Sequence, residues 1–435
     1  MKYCLAIDIG HLCTKHVIGY EKDGGIVTDE VYSFDGYLEE AEGSFIWNTE
    51  KIFAEVLSGI RAAFKKYPEI ESIAIDGFGS DYVLLSDDEE ISPTYAYCDK
   101  RTSLAVEEVH KIIPFKTLYE HTGTCYRSYN SLYQLYVDKE WGRLDGATDF
   151  LMIPEYITYR LTGKRLREFT GATTTGMVNA DTLRYDRKIW SSLGLPISLD
   201  ENLSAPGTLV GSLKADVAKS VGGDAAVVLA ATNNVASALL AVDMTENAPY
   251  IVREGASVVG IKTSTVHIDD KSLDSGYSNE GGFGYNRYEK NVTGMGVIEN
   301  LRSELCPEAS LDDTVKMAEE SSFFDNVDLG EEEFSCAKSI KSAIDLYMTR
   351  EKRELPRTVG DYFRCAYFSL AHCYGVAINE LEYNTGRAYN EIYVIGGEEN
   401  AYLNKLTERY TRKRVIPIDK NAAAMGNIKV QMKQK

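Results

Sequence analysis

Apolar and polar positions alternate along residues 3–34 in three runs, YCLAIDIG, KHVIGYE and IVTDEVYSF. The last two are separated by Lys22-Asp23-Gly24-Gly25, a hairpin turn signal, so the segment predicts a three-strand meander. A second meander is predicted over residues 250–290, from YIVREG through SVVGIKT to the glycine-rich stretch Gly281 to Tyr288. Helix-patterned sequence follows each meander, and then a buried strand ending in glycine. That strand is SIAIDGFGSD (72–81) in the first half and EIYVIGGEEN (391–400) in the second, the latter after a helix from roughly Thr358 to Tyr383. FLMIPEYITYRLTGK, from Phe150, carries apolar residues at helical spacing; Leu151 and Pro154 mark an early turn and Gly163 a stop. A hydroxyl-rich loop is expected at residues 170–176, and VASALLAV reads as a helix with a domain boundary just after it, near Ala241-Val242. The acid-rich residues 306–340 are expected as a solvated helical face and loops.

At 435 residues the chain exceeds one ordinary core, so two domains are expected. No apolar run approaches the ~20 residues of a membrane span. The opening MKYCLAIDIG reads as a strand rather than an export signal, which predicts a soluble, cytoplasmic protein. A net charge of −19 argues against nucleic-acid binding, and any anionic ligand needs locally concentrated donors. Eight scattered cysteines, with no CxxC pair and no histidine at zinc spacing, read as reduced thiols and exclude a structural metal.

Five segments carry candidate chemistry. Asp8-Ile9-Gly10-His11-Leu12-Cys13-Thr14-Lys15 closes the first strand. Asp76-Gly77-Phe78-Gly79-Ser80-Asp81 precedes Asp99-Lys100-Arg101. Thr232-Asn233-Asn234 enters a helix, where either asparagine makes a good cap. Arg253-Glu254-Gly255-Ala256-Ser257 lies in the second meander, and Gly396-Gly397 is followed by Asn400 and Asn404. Each is weak alone, since DxG and GG after a strand are common. Phe150 to Asn179, FLMIPEYITYRLTGKRLREFTGATTTGMVN, says more. It closely resembles the FGGY sugar kinases, and among them the rhamnulose kinases. LYEHTGTCYRSYNSLYQLY (118–136) and NAAAMGNIKVQ (421–431) support the same resemblance, which runs from residue 3 to about 431.

The resemblance implies an α/β fold of two actin/hexokinase-like, ribonuclease H-like domains with a ligand cleft. Residues 1–242 would be the sugar-binding domain and 243–435 the nucleotide-binding domain. It further implies transfer of the γ-phosphate of Mg-ATP to a ketose hydroxyl, L-rhamnulose first among the candidates. Asp8 would hold Mg²⁺ through water, and Gly10, Thr14 and Lys15 would hold the phosphates. Gly77, Phe78, Gly79, Asp99, Arg101 and Asn233 would face the sugar. Gly255, Gly396, Gly397, Asn400 and Asn404 would serve the nucleotide. The departures gather at catalytic positions. His11, Leu12 and Cys13 replace hydroxyl positions, Ala256 lacks a hydroxyl, and Asn234 stands where the family has its general-base Asp. Two readings follow: an active kinase, with His11, Asp76 or Asp81 as replacement base, or a silent relative that binds sugar or nucleotide as a sensor or partner.

Overall fold

The computed structural model describes residues 2–10, 13–199, 202–245, 248–335 and 337–433. The first strands are β1 (Tyr3–Ile9), β2 (Cys13–Lys22) and β3 (Gly25–Asp35), an antiparallel meander as the alternation predicts. Asp23 and Gly24 both take positive φ at the second turn, as the hairpin signal requires. Helix α1 (Thr49–Lys66) starts at Asn48, whose side chain accepts from Lys51 N. Its Ile52, Val56, Ile60 and Ala63 form one stripe in a core shared with Leu5, Ile7 and Ile9 of β1. The chain then forms β4 (Ile70–Gly77), parallel to β1 with Asp8 opposite Asp76.

Strand β5 (Tyr82–Ser86) pairs antiparallel with β6 (Asp149–Met152). The helix predicted from Phe150 therefore starts later, as α2 (Ile153–Thr162), because Phe150 to Met152 are taken by strand pairing. Pro154 lies in the first turn of α2, and Gly163 ends it in the left-handed region. The expected hydroxyl loop is largely a short helix, α3 (Phe169–Thr173), capped by the Glu168 carboxylate. Strands β7 (Leu209–Ser212) and β8 (Ala226–Val228) extend the sheet to the order β7-β8-β4-β1-β2-β3, and α4 (Asn234–Ala241) follows.

A second sheet repeats the plan. Strand β9 (Pro249–Arg253) is antiparallel to β10 (Ala256–Thr263), with β11 (Asn286–Thr293) beyond it. The acid-rich stretch holds the helices Leu311–Glu320 and Glu332–Ser335 among loops. The long helix α5 (Val359–Thr385) opens on a capping box of Thr358 and Asp361. Strand β12 (Glu391–Ile395) is parallel to β9, α6 (Ala401–Thr411) follows, and β13 (Arg414–Ile418) closes that side. Last comes α7 (Ala422–Met432). A meander continued by parallel strands, occurring twice, is the ribonuclease H-like plan of the actin and hexokinase class.

The compact units divide differently from the expected 1–242 and 243–435. One unit holds residues 1–243, 263–287 and 421–435; the other holds 244–262 and 288–420. The physical reason for the last segment is visible in β1. Its Leu5, Ile7 and Ile9 face the α1 side, whereas the small Cys4 and Ala6 face Ala424 and Ile428 of α7. Burying a side chain such as Ile428 contributes about 1.5–3 kcal/mol. Gln431 also accepts from Ser72 Oγ (2.6 Å) and donates to Leu5 O (3.1 Å). Among the described residues no helix is long and apolar enough to cross a membrane.

The tightest approach in the first unit is between α7 and α4. A Cβ built on Gly426 would lie 1.7 Å from Ser237 O and 2.6 Å from its carbonyl carbon. Gly426→Ala should therefore destabilise the protein by about 3 kcal/mol or more, since backbone must move. Urea denaturation monitored by circular dichroism would check this; a change under about 0.5 kcal/mol would refute the close packing.

Candidate active site

Asp8 and Asp76 end neighbouring parallel strands; Asp76 is fully buried and Asp8 partly so. Asn427 Nδ2, from α7, donates to Asp76 Oδ1 at 2.7 Å. Asp8 Oδ1 and Asp76 Oδ2 are buried without a partner. Burial raises the Asp8 carboxyl to about 6 against the pull of Lys15, and burial followed by the nearby Asp8 charge raises Asp76 well above its ordinary value. Two orphaned carboxylate oxygens on adjacent strands fit a hard divalent cation such as Mg²⁺. No cluster of three or more ligating side chains occurs among the described residues, so remaining ligands would be water and substrate.

The hairpin beside Asp8 is built from framework contacts. Gly10 N donates to Cys13 O at 3.1 Å, and a Cβ on Gly10 would meet that oxygen at 2.5 Å, which requires glycine. Thr14 is fully buried and its hydroxyl donates to Tyr37 OH at 3.2 Å, so that hydroxyl is spent on protein. Lys15 Nζ donates to Asn421 Oδ1 at 3.4 Å. Cys13 is exposed, and His11 and Leu12 lie outside the described residues.

The β4 end bonds to the start of α4: Gly77 N donates to Thr232 O at 2.9 Å, and Gly77 bridges Asn233. Asn233 is the helix cap, its Oδ1 accepting from Ala236 N at 3.1 Å. Asn234 is the first helical residue and partly exposed, with Oδ1 accepting from Val235 N at 2.9 Å. What fixes this junction was missed in the sequence. The buried Glu168 carboxylate accepts from Thr170 N, Thr170 Oγ1, Gly171 N, Thr232 N and Thr232 Oγ1. Glu168 N in turn donates to Glu155 Oε1 at 2.7 Å, and Met152 N donates to Glu155 Oε2 at 2.9 Å. Burial raises both carboxyls, Glu155 to about 8. The acid immediately before the hydroxyl-rich run was the one available signal, because it marks a helix cap.

The glycines expected to admit a sugar are explained by packing. A Cβ on Gly77 would meet Ile9 O at 2.7 Å, and one on Gly79 would meet Thr174 Oγ1 at 2.5 Å. Phe78 stacks on Trp47 with centroids 4.8 Å apart. The Asp99 and Arg101 side chains do not pair with each other. Asp99 accepts from Arg101 N and Phe45 N, while the Arg101 guanidinium donates to Asp138 (2.6 Å) and Gln134 (2.8 Å) over the Tyr95 ring. Asp81, a candidate replacement base, has both oxygens engaged by Trp47 Nε1, Tyr97 N and Gln134 Nε2. Burial raises it to about 6, but its position is that of a framework group.

In the second unit, Arg253 and the Gly396-Gly397 turn end the parallel strands β9 and β12, with Val252 opposite Ile395. Gly396 requires its positive φ of 77°, and Gly397 packs against Pro417. Asn400 caps α6 by accepting from Leu403 N at 2.9 Å, and its amide faces Tyr367 OH at 3.5 Å. Asn404 donates to Gly397 O (2.7 Å) and accepts from Arg253 Nη1 (3.0 Å). The Glu254–Ala256 turn is exposed, so the Glu254 side chain faces outward.

The fold is that of the ribonuclease H-like class, and sequence comparison makes the assignment specific. Residues 3–240 match the FGGY family of carbohydrate kinases, N-terminal domain. A rhamnulokinase from Oceanobacillus iheyensis is 33% identical over 99% of this chain and 93% of its own length. One from Halalkalibacterium halodurans is 32% identical over the same shares, 99% and 93%. The structure of a ligand-bound xylulose kinase from Lactobacillus acidophilus, 18% identical, superposes with a TM-score of 0.82 over 99% of this chain and 89% of that one. The chain belongs to the FGGY family of carbohydrate kinases.

The raised carboxyls set the pH dependence of stability. A native Glu155 holding its proton to about pH 8, against the ordinary 4.5, stabilises the fold below the lower value and loses that contribution as pH rises toward 8; Asp8 and Asp81 act alike up to about 6. Unfolding free energy should therefore fall between pH 5 and 8. Glu155→Gln should flatten that slope while lowering stability throughout, because an amide accepts only one of the two backbone N–H groups. Equilibrium denaturation at several pH values would check it; an unchanged slope in the variant would refute the assignment.

Proposed function

We propose that the chain is an ATP-dependent ketose kinase with L-rhamnulose as its substrate. The carrying observation is the near full-length similarity to two proteins named rhamnulokinase, 33% and 32% identical. In this reading the β1–β2 hairpin and Lys15 position the nucleotide phosphates, and the Asp8–Asp76 pair holds Mg²⁺, which supplies positive charge against the phosphates. The Gly77–Gly79 segment and the Asn233 junction border the sugar. The sugar hydroxyl attacks the γ-phosphorus, the bond to the ADP oxygen breaks, and the hydroxyl proton passes to solvent water.

Asn234 decides how fast this runs. Its amide cannot accept the proton that a carboxylate would take, and general-base catalysis is worth ~10²–10⁴ in rate. Phosphoryl transfer depends chiefly on positioning and charge stabilisation, so turnover would be slow rather than absent. Asp81 is consumed by three donors and does not replace the base, and Asp76 belongs to the pair assigned to Mg²⁺. The same observation favours a second reading, a silent relative that binds sugar or nucleotide as a sensor or partner subunit.

Calorimetric titration with Mg-ATP, followed by ADP release assays over a ketose panel, separates the two. Binding in the micromolar to submillimolar range with slow L-rhamnulose phosphorylation is expected. Asn234→Asp should raise turnover by about 10²-fold or more. Absence of ATP binding by folded protein at several millimolar would reject the kinase reading; binding without any gain in Asn234→Asp would favour the silent one.

A further inference from the structure

The β1–β2 hairpin is braced by a tyrosine that is not part of it. Tyr37 follows the end of β3 and is 1% exposed. Its hydroxyl donates to Gly10 O on one side of the turn and accepts from Thr14 Oγ1, at 3.2 Å, on the other. Both sides therefore close on a single oxygen, in addition to the bond from Gly10 N to Cys13 O. A buried phenol needs a hydrogen-bond partner, and this one spends its donor and an acceptor position on the same turn.

The hydroxyl is itself held in place. The Tyr37 carbonyl accepts from Asn48 N at 2.9 Å, and Asn48 caps α1, whose apolar stripe shares a core with β1. The ring packs against Phe34, with centroids 5.4 Å apart, and against Trp47 at 5.9 Å. Backbone and ring leave the phenol little freedom, so its oxygen is a fixed point against which the hairpin is set. That bears on anion binding. His11, Leu12 and Cys13 replace hydroxyl positions and the Thr14 hydroxyl is turned to Tyr37, so this turn must rely on its peptide groups. A peptide group is planar, and holding its carbonyl fixes the direction of the whole group.

We propose that Tyr37 is a positioning residue: its hydroxyl sets the peptide groups of the β1–β2 hairpin for the nucleotide phosphates without touching them. This rests on the kinase reading, in which that hairpin receives the phosphates. The phenol does from behind the turn what side-chain hydroxyls within the turn would do at its face.

The test is calorimetric titration of Mg-ATP and inorganic pyrophosphate into the wild-type chain and Tyr37→Phe, joined to amide hydrogen exchange read by mass spectrometry. The Phe variant keeps the buried ring and removes only the hydroxyl. Both anions should bind about fivefold more weakly to it, the effect of one lost hydrogen bond. Fragments spanning the hairpin should exchange about threefold faster, with those of α1 unchanged. Undiminished affinity for both anions in the folded variant would overturn the proposal and leave the kinase reading standing. Weaker binding with no change in hairpin exchange would also overturn it, because the hydroxyl would not be acting through the hairpin. Equal acceleration in α1 would mark a general loss of structure and count against it in the same way. A wild type that binds neither anion would reject the kinase reading and the proposal with it. If Tyr37→Phe fails to fold, Thr14→Val removes the other hydroxyl of the same bracket. Thr14 Oγ1 already donates to Tyr37, so the same selective loss there supports the proposal and undiminished anion binding overturns it.

Discussion

The Glu168 carboxylate holds the first unit's active end together. It gathers five donors from two stretches of chain, residues 170–171 and residue 232, and none of these groups reaches water. A buried donor left without an acceptor costs about 1–3 kcal/mol, so the set can be satisfied only with both stretches in place. Thr232 precedes Asn233 and Asn234, and the bond from Gly77 N to Thr232 O passes the constraint to β4. From there the register of β4 on β1 sets Asp76 against Asp8. The start of α4 and the carboxylate pair are thus located by one acid that touches neither.

The same economy explains why some expected roles shift from ligand to framework. Asp99, Thr14 and Asp81 are all polar and all near the expected positions, yet each has its side-chain oxygens engaged by neighbouring protein, and the Arg101 guanidinium is held by Asp138 and Gln134. Polar side chains packed this way fix backbone segments, whereas Asp8 and Asp76 keep buried, unpartnered oxygens at the strand ends. A binding site is better read from unmet hydrogen-bonding capacity than from polarity alone.

Much of the architecture was legible in sequence because it is local. Alternation placed β1 to β3, Gly163 placed the end of α2, and the helix expected across Thr358 to Tyr383 is α5 within two residues at its far end. The failures are tertiary. Phe150 to Met152 carry an apolar pattern that suits helix or strand, and pairing with β5 decides it. Gly77 and Gly79 read as openings toward a ligand because sequence cannot say which neighbour fills the missing Cβ. Nothing in the local sequence marks Glu155 and Glu168 as buried. Of the site, the strand-end motifs were found by resemblance, whereas the hydrogen bonds that separate binding groups from scaffolding depend on residues far apart in the chain.

Helix α7 has a temporal consequence. It covers the Cys4 and Ala6 face of β1, donates Asn427 to Asp76 and seats Gly426 on α4, so the first strand made lacks its cover until residues beyond 420 have been synthesised. Folding during synthesis normally proceeds from the N-terminal domain onward. Here the early unit must wait, with one face of its sheet open, while all of residues 288–420 emerge from the ribosome. The carboxylate pair therefore acquires its Asn427 contact only after the other unit has been made.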